Sequence, residues 1–252
     1  MTMAVAWCAM TLISVTVVAA GFLVVGRATG TRGIASPRLF WSSGAAVVIL
    51  LVGMGLLYQV RAVAEVDGAF VESLSLARGP VLVEIARVVT TVGDVVPTMT
   101  IAAVLALLLL LRPDPGLWPL ALPLLVFLEL VLQFGYNAVF PVLTLSDIDA
   151  ALPIDGSGSI PSGSVARLMS LFVVAAMIRR RQQADASVDH WVSIGASLVT
   201  IELVTRLLLG RHFVADIIGG VLLGTLLCLV AAALLHATSR PASTPVGDGE
   251  VV

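Results

Sequence analysis

The sequence has no lysine, few charged residues and few aromatic residues. Its 14 basic residues are all arginine, charged residues make up 12% of the chain and aromatic residues 6%. A soluble domain carries about 25% charged residues, because polar side chains must cover its surface. With 59% hydrophobic residues and a mean hydropathy of +1.07, the sequence excludes a soluble globular protein. It predicts an integral membrane protein, for which the lipid bilayer is the solvent.

Cysteine is also scarce, and no glycine-rich nucleotide-binding loop is present. Cys8 and Cys228 both lie inside apolar runs, which is typical of small buried residues and not of a disulfide or a metal pair. The net charge of -2 indicates no nucleic-acid partner. We therefore predict no metal site and no cofactor.

Seven apolar stretches approach the roughly 20 residues that a membrane-spanning helix needs. They lie near residues 4–25, 40–60, 95–111, 117–138, 164–178, 191–209 and 213–235. The fifth is short and only three residues separate the last two, so six or eight spans remain alternatives. The first follows no basic region and is too long for a typical signal peptide, so we interpret it as a retained helix. The pattern predicts an all-α, polytopic transmembrane helical bundle.

The arginines predict the orientation of this bundle. They concentrate in the loops 26–39, 112–116 and 179–190, whereas the opposite loops carry acidic residues such as Asp155. Because basic loops stay in the cytoplasm, we expect the N-terminus outside and the C-terminus inside. The predicted localisation is the plasma membrane of a bacterium, with several passes.

Three segments are not predicted to span the membrane. Residues 68–92 mix apolar and charged positions at helical spacing, interrupted by Gly79-Pro80, and predict one or two amphipathic helices at the outer interface. Residues 139–163 form an outer loop that is rich in turn residues. Residues 237–252 are small and polar, and we expect them to be disordered.

One cluster of ionisable residues stands at the junction of the last two predicted spans. Arg206, His212 and Asp216 lie there, and the last two are four residues apart, on one face of a helix. An aspartate in that position can accept the proton of one imidazole nitrogen and leave the other nitrogen free to attack. The Arg206 guanidinium suits phosphate oxygens. Taken singly, each residue is more often an interfacial anchor, so it is the combination that suggests chemistry.

A second element, Pro161-Ser162-Gly163-Ser164, precedes the fifth predicted span on the same outer face. Small residues at a helix N-terminus leave backbone N–H groups for an anion, although the same residues also make an ordinary helix start. Three acidic residues receive structural interpretations. We expect Glu129 and Glu202 to connect helices inside the membrane and Asp94 to cap a helix.

These elements resemble the motifs of the type-2 phosphatidic acid phosphatases, which share a helical fold with vanadium haloperoxidases. Thr205, Arg206, His212 and Asp216 match the third motif at every spacing, with threonine for serine. Residues 161–164 stand for the second motif, Pro-Ser-Gly-His, and end in serine. Gln133, Phe140 and Pro141 occupy the first motif, where the family has lysine, arginine and proline.

The resemblance implies roles for these residues. His212 would attack phosphorus and form a phospho-histidine, Asp216 would orient it, and Thr205, Arg206, Ser162, Gly163 and Ser164 would line the phosphate site. The family's general acid is replaced by Ser164, and two of its three clamp cations are replaced by Gln133 and Phe140. Arg167 or Arg211 could substitute in part for the lost cations.

The resemblance also implies a division of the chain and a function. Residues 1–39 would be an extra N-terminal span with its loop, 40–236 a six-helix phosphatidic acid phosphatase core, and 237–252 a tail. The implied activity is a phosphatase for a lipid phosphate or lipid diphosphate (phosphatidic acid, phosphatidylglycerol phosphate or a polyprenyl diphosphate) at the outer face. The alternatives are a catalytically silent protein that binds or transports a phosphorylated lipid or joins a membrane complex, and a membrane scaffold. A homo-oligomer or complex partner stays open.

Overall fold

A computed structural model of the chain is a bundle of α-helices, as the apolar pattern predicts. It describes residues 12, 16–26, 37–75, 79–113, 116–140, 160–183 and 189–237. The helices in these ranges are α1 (Thr16–Gly26), α2 (Pro37–Leu57), α3 (Arg61–Ser75), α4 (Pro80–Thr90), α5 (Val95–Leu110), α6 (Ala121–Val139), α7 (Gly163–Gln182), α8 (Asp189–Leu209) and α9 (Val214–Ala237). Short 3-10 turns, Thr91–Gly93 and Trp118–Leu120, precede α5 and α6. The predicted all-α fold class is confirmed.

Helix α7 lies in the centre of the bundle. It packs against α5, α6, α8 and α9, and 15 of its 20 residues are buried. Close packing with α9 depends on glycine, since a Cβ at Gly220 would lie 2.5 Å from the Ser162 carbonyl oxygen and one at Gly224 3.1 Å from that of Ala166. Small residues four apart allow such close approach of two membrane helices.

Four of the described helices are long and apolar enough to cross a membrane. They are Pro37–Leu57, Trp118–Val139, His190–Leu209 and Val214–Ala237. A fifth span results if Pro80–Gly93 and Val95–Leu110, which meet at an angle of 51°, count as one broken helix. The chain is therefore a multi-pass membrane protein.

This count differs from seven at three places. Half of the first predicted span lies outside the described residues, and the helix described there, Thr16–Gly26, is short. The third is 16 residues long and qualifies only with the helix before it. The fifth is α7, which carries Arg167 and three terminal arginines and lies inside the bundle, where other helices and not lipid surround it.

The segment 68–92, which is predicted to lie at the membrane interface, contains the second half of α3 and all of α4. Gly79 and Pro80 lie at the start of α4. Helix α4 meets α5 at a bend of 51°, which is the arrangement of a broken span or of a re-entrant loop. Most of the predicted outer loop 139–163, namely residues 141–159, lies outside the described part of the chain, as does the tail beyond residue 237.

Of the predicted cytoplasmic arginines, Arg179, Arg180 and Arg181 form the last turn of α7, whereas Arg27 and Arg32 lie outside the described residues. Arg181, in the last turn of α7, donates a hydrogen bond to the Leu235 carbonyl at the end of α9, and its guanidinium lies 5.0 Å from the ring centroid of Trp118. The N-terminus of α7 and the connection between α8 and α9 lie at the opposite end. The arginine-rich end and the candidate site are thus separated by the length of α7.

Candidate functional site

The connection between α8 and α9 presents the histidine. Helix α8 ends at Leu209, and Gly210 follows with a positive φ of 67°, a left-handed conformation that favours glycine and ends helices. The Arg211 N–H donates to the Arg206 carbonyl at 3.0 Å. This tight turn places His212 two residues before the start of α9.

His212 and Asp216 form a buried pair. The Nδ1 atom of His212 lies 3.1 Å from Oδ2 of Asp216, which also accepts the backbone N–H of Phe213 at 2.9 Å. Asp216 is fully buried and His212 only 7% exposed. Because the carboxylate accepts a hydrogen bond, it favours the tautomer with the proton on Nδ1 and leaves Nε2 unprotonated, as an acceptor. Asp216 also fixes the ring, since its carboxylate is tied to the start of α9.

The Pro161–Ser164 turn lies against this pair. The Ser162 N–H donates to the Asp216 carbonyl at 2.8 Å, and Oγ of Ser162 lies 3.4 Å from Nε2 of His212 and 3.3 Å from Oγ of Ser164. Ser162 occupies the N-cap position of α7 without a side-chain cap bond. Its hydroxyl faces the histidine, and the first N–H groups of α7 have no carbonyl of their own helix to bind.

Gln133 anchors the same turn from α6. Its amide Nε2 donates to the Pro161 carbonyl at 2.9 Å. At the position where the resembled family has lysine, this chain therefore has a neutral side chain that is directed at the backbone of the second motif.

Arg206 is held by two carboxylates. Its Nε donates to Glu202 at 2.7 Å and its NH2 to Asp94 at 2.8 Å. Glu202 is buried, whereas the Asp94 side chain is 47% exposed. Asp94 is predicted to cap a helix, and it does so by position, without a side-chain cap bond. Its carboxylate turns to the stronger, cationic donor of Arg206.

Arg167 is held in a comparable way from α7. Its NH1 donates to Glu129 on α6 at 2.6 Å and its NH2 to the Gly93 carbonyl at 3.0 Å. The Glu129 side chain is fully buried and that of Arg167 is 6% exposed. Glu129 does connect two helices, and its partner is a residue of the candidate site. Glu202 is bound to Arg206 on its own helix and accepts the Thr90 hydroxyl at 3.2 Å.

These groups border one cavity of about 340 Å³. Its lining residues are Asp94, Val95, Gln133, Gly163, Ser164, Arg167, Arg206 and His212. The two guanidinium groups and the imidazole of this lining are hydrogen-bonded to four carboxylates. These belong to Asp94, Glu129, Glu202 and Asp216. The cavity is polar, but its arginines are already neutralised by acidic partners.

Three described residues of the predicted site, Thr205, Arg211 and Phe140, are absent from the cavity lining. The Thr205 hydroxyl donates to the Glu202 carbonyl on its own helix. Phe140 instead packs on Tyr136, with ring centroids 4.9 Å apart. Pro141 lies outside the described residues. Phe140 therefore does not take the place of a clamp arginine in this structure.

A contact between α3 and the start of α9 was not predicted from the sequence. Asp67 accepts the backbone N–H groups of Val214 and Ala215, the first two residues of α9, and the hydroxyl of Tyr58. No spacing motif links residues that are about 147 positions apart. The only signal in the sequence is an acidic residue directly before the amphipathic segment 68–92.

In the part of the chain that the structure describes, no group of three or more His, Cys, Asp or Glu side chains could hold a metal ion. The catalytic and binding roles given to the cavity residues above remain predictions.

The motif-bearing part of the chain is similar to a known family of proteins. Residues 120–240, which carry all three motif regions, match the family model of the PAP2 superfamily. No curated protein matches the chain.

The chain is also similar to a solved structure, the first transmembrane PAP2 type phosphatidylglycerolphosphate phosphatase from Bacillus subtilis. The match has a TM-score of 0.69 and covers 79% of this chain and 98% of that one, at 19% sequence identity. At this identity the likeness shows the fold.

Proposed function

We propose that this protein is an integral membrane phosphatase for a lipid phosphate or lipid diphosphate, and that His212 is its nucleophile. Attack by Nε2 on phosphorus would release the lipid alcohol or lipid monophosphate and leave a phospho-histidine. Water would then hydrolyse this intermediate to inorganic phosphate. The reaction would take place at the outer face of the membrane.

The observation that carries the proposal is the arrangement of His212. Its Nδ1 is paired with buried Asp216 at 3.1 Å, and the residue borders the cavity. A nucleophilic imidazole needs one nitrogen held by an acceptor and the other directed at the substrate. Asp216 would also stabilise the positive charge that the ring acquires as the bond to phosphorus forms.

The cavity offers donors for the phosphoryl oxygens. Glu202 and Asp94 occupy Nε and one position of NH2 on Arg206, and a guanidinium has five N–H donors. The backbone N–H groups of Gly163 and Ser164 lie in the first turn of α7, where the helix dipole favours an anion.

Arg167 is the described residue best placed to supply a second cation. A Cβ added to Gly163 would lie 2.6 Å from Oε1 of Gln133 and 2.8 Å from NH1 of Arg167. The guanidinium thus lies beside the position where the resembled family has lysine, although it extends from α7 and not from α6. Arg211, which does not line the cavity, is a weaker candidate.

Ser164 limits the substrate class. A serine hydroxyl is too weak an acid to protonate an alkoxide leaving group at neutral pH, and general acid catalysis typically contributes about 10²–10⁴-fold. A lipid diphosphate leaves as a phosphate ester, which needs little protonation. We therefore expect the native protein to prefer lipid diphosphates and activated esters over simple lipid monoesters.

The proposal is tested by phosphate release from a panel of lipid phosphates and diphosphates, with the purified protein in detergent or nanodiscs. The His212→Ala variant should abolish release, and His236→Ala, at the end of α9, is the matched control and should not. Equal release by wild type and His212→Ala would contradict the assignment of the nucleophile.

A second candidate function, a silent binder or carrier of a phosphorylated lipid, is favoured by the ion pairs. Both arginines that border the cavity already have carboxylate partners, so charge stabilisation of a phosphoryl transition state is reduced. Saturable binding of a lipid phosphate without release of phosphate would establish this function in place of catalysis.

We propose residues 40–236 as the catalytic domain, with an additional span in residues 1–39 and a tail in 237–252. We also propose a bacterial plasma membrane location with the cavity outside. A homo-oligomer or a partner in a membrane complex is compatible with this arrangement.

A further inference from the structure

Helix α9 begins immediately after His212, and its first N–H groups are bound by a residue from a distant helix. Oδ1 of Asp67, on α3, accepts the N–H of Val214 at 2.9 Å, and Oδ2 accepts that of Ala215 at 3.0 Å. These groups have no acceptor within their own helix. A helix usually satisfies such groups with Ser, Thr, Asp or Asn at the N-cap, but the residue that precedes α9 is Phe213, which has no acceptor in its side chain.

Two carboxylates therefore hold three successive N–H groups. Asp216 takes the N–H of Phe213, and Asp67 takes the next two. The same oxygen of Asp216 is bound to His212. The direction of the first turn of α9 consequently determines where Asp216, and with it the imidazole, is located.

Tyr58 strengthens this arrangement from the end of α2. It is 3% exposed, its hydroxyl donates to Oδ2 of Asp67 at 3.2 Å, and its ring centroid lies 5.7 Å from that of Phe213. Burial raises the pKa of Asp67, while the N–H groups of Ala215 and Val214 lower it. The helix N-terminus thus offsets part of the cost of placing this carboxylate away from water.

We propose that Asp67 is a positioning residue for His212: it binds the start of α9 and holds the His212–Asp216 pair in register with the cavity. The proposal rests on the proposed function only in taking His212 as the nucleophile. Asp67 borders the helix start and not the cavity lining, so it acts through other residues. It also makes the reaction dependent on the placement of α3, whose second half belongs to the segment 68–92 that the sequence predicts at the membrane interface.

The test combines hydrogen exchange with kinetics on the full-length protein in nanodiscs. The primary variant is Asp67→Asn, which keeps the size of the side chain and replaces one of the two accepting oxygens by an NH₂ group. Asp67→Ala removes both acceptors and should have the larger effect. Glu84→Gln, which removes an exposed carboxylate on α4 that lies 3.7 Å from Arg87, is the control.

Exchange of the amides of Val214 and Ala215 should become about tenfold faster or more in Asp67→Asn, because hydrogen bonds to a charged acceptor are lost. Amides in the middle of α7 should keep the wild-type rate in both variants. Unchanged exchange at Val214 and Ala215 would overturn the inference, whatever the protein's activity.

Kinetics separate positioning from a role in folding alone. Asp67→Asn should lower kcat about 10- to 100-fold and leave KM within a few-fold, because the cavity wall that binds phosphate is retained. In an Asp216→Asn background the same change should cost much less, since both residues act on one imidazole. Fully multiplicative losses, or faster exchange with an unchanged kcat, would overturn the inference. If the wild-type protein hydrolyses no lipid phosphate, the proposed function is wrong. Faster exchange in Asp67→Asn would then still support the link between Asp67 and the His212 segment.

Discussion

At the scale of single residues, the main feature of the cavity is that both of its arginines are paired with carboxylates. Arg167 is bound to Glu129 and Arg206 to Glu202 and Asp94. Removal of one partner of a buried pair leaves an uncompensated charge, which typically costs about 3–5 kcal/mol. The acids therefore hold the arginines in fixed positions and at the same time reduce the positive potential that an incoming phosphate meets.

The most informative variant changes Ser164 and Gln133, which occupy the positions of the general acid and a clamp lysine in the resembled family. We predict that Ser164→His combined with Gln133→Lys raises turnover of a lipid monoester by about 10²-fold or more, because a general acid and a clamp cation are restored beside an existing nucleophile. The measurement is kcat for a lipid phosphate. Phe140→Arg is the comparison variant and should not help, since Phe140 packs on Tyr136 away from the cavity. A double variant that folds and binds lipid phosphate but still releases none would mean that the cavity serves another purpose.

At the scale of helices, the site depends on close contact between α9 and the start of α7. We predict that Gly220→Ala lowers the thermal midpoint and the activity together, because its Cβ would lie 2.5 Å from the Ser162 carbonyl and 3.0 Å from Cβ of Val165. Overpacking of this kind typically costs about 1–3 kcal/mol, and here it displaces the turn that faces His212.

Gly53→Ala is the matched control, since nothing lies within 4 Å of its added Cβ. Both variants introduce the same methyl group into a membrane helix, so a difference between them reports packing. Equal thermal midpoints and equal activity for the two variants would contradict the described contact.

The sequence predicts those parts of the site that are local along the chain. The spacing of His212 and Asp216 requires only one helical turn, so their contact follows from the period of the α-helix. Arg206 with Glu202 has the same spacing. The apolar runs likewise predict most of the helices, because a membrane span is a property of composition and length.

Long-range pairs could not be predicted in this way. Asp94 is read as a cap from its neighbours, but its partner Arg206 lies 112 residues further on, and only the packing of α5 against the rest of the bundle brings the two together. The same holds for Asp67 with the start of α9. The sequence offers Arg167 or Arg211 as a partial replacement for the lost clamp cations, but the pairing of Arg167 with Glu129 follows only from the contact of α6 with α7.

At the scale of the whole molecule, the orientation of the bundle decides which side of the membrane the cavity faces. The arginine-rich end and the cavity lie at opposite ends of α7. We predict that a cysteine at Asp155 reacts with a membrane-impermeant thiol reagent in intact cells and that one at Gln183, which follows α7, reacts only after permeabilisation.

The native Cys8 and Cys228 are replaced by serine in both labelling variants, so that only the introduced thiol reports. Labelling at Gln183 without labelling at Asp155 would reverse the orientation and place the cavity on the cytoplasmic side. The proposed outer-face reaction would then be wrong, while the arrangement of His212 and Asp216 would be unaffected.

The central claim is that His212 becomes phosphorylated by a lipid substrate, and trapping of that intermediate tests it most directly. The protein is mixed with a lipid diphosphate that carries ³²P in its terminal phosphate, quenched in base within milliseconds to seconds and digested. A phospho-histidine is stable in base and labile in acid. The account predicts acid-labile label on the peptide that contains His212 in the wild type, more of it per turnover in Ser164→His if attack becomes faster than hydrolysis, and none in His212→Ala. Release of phosphate by the wild type with no label on this peptide, or with label retained in His212→Ala, would contradict it.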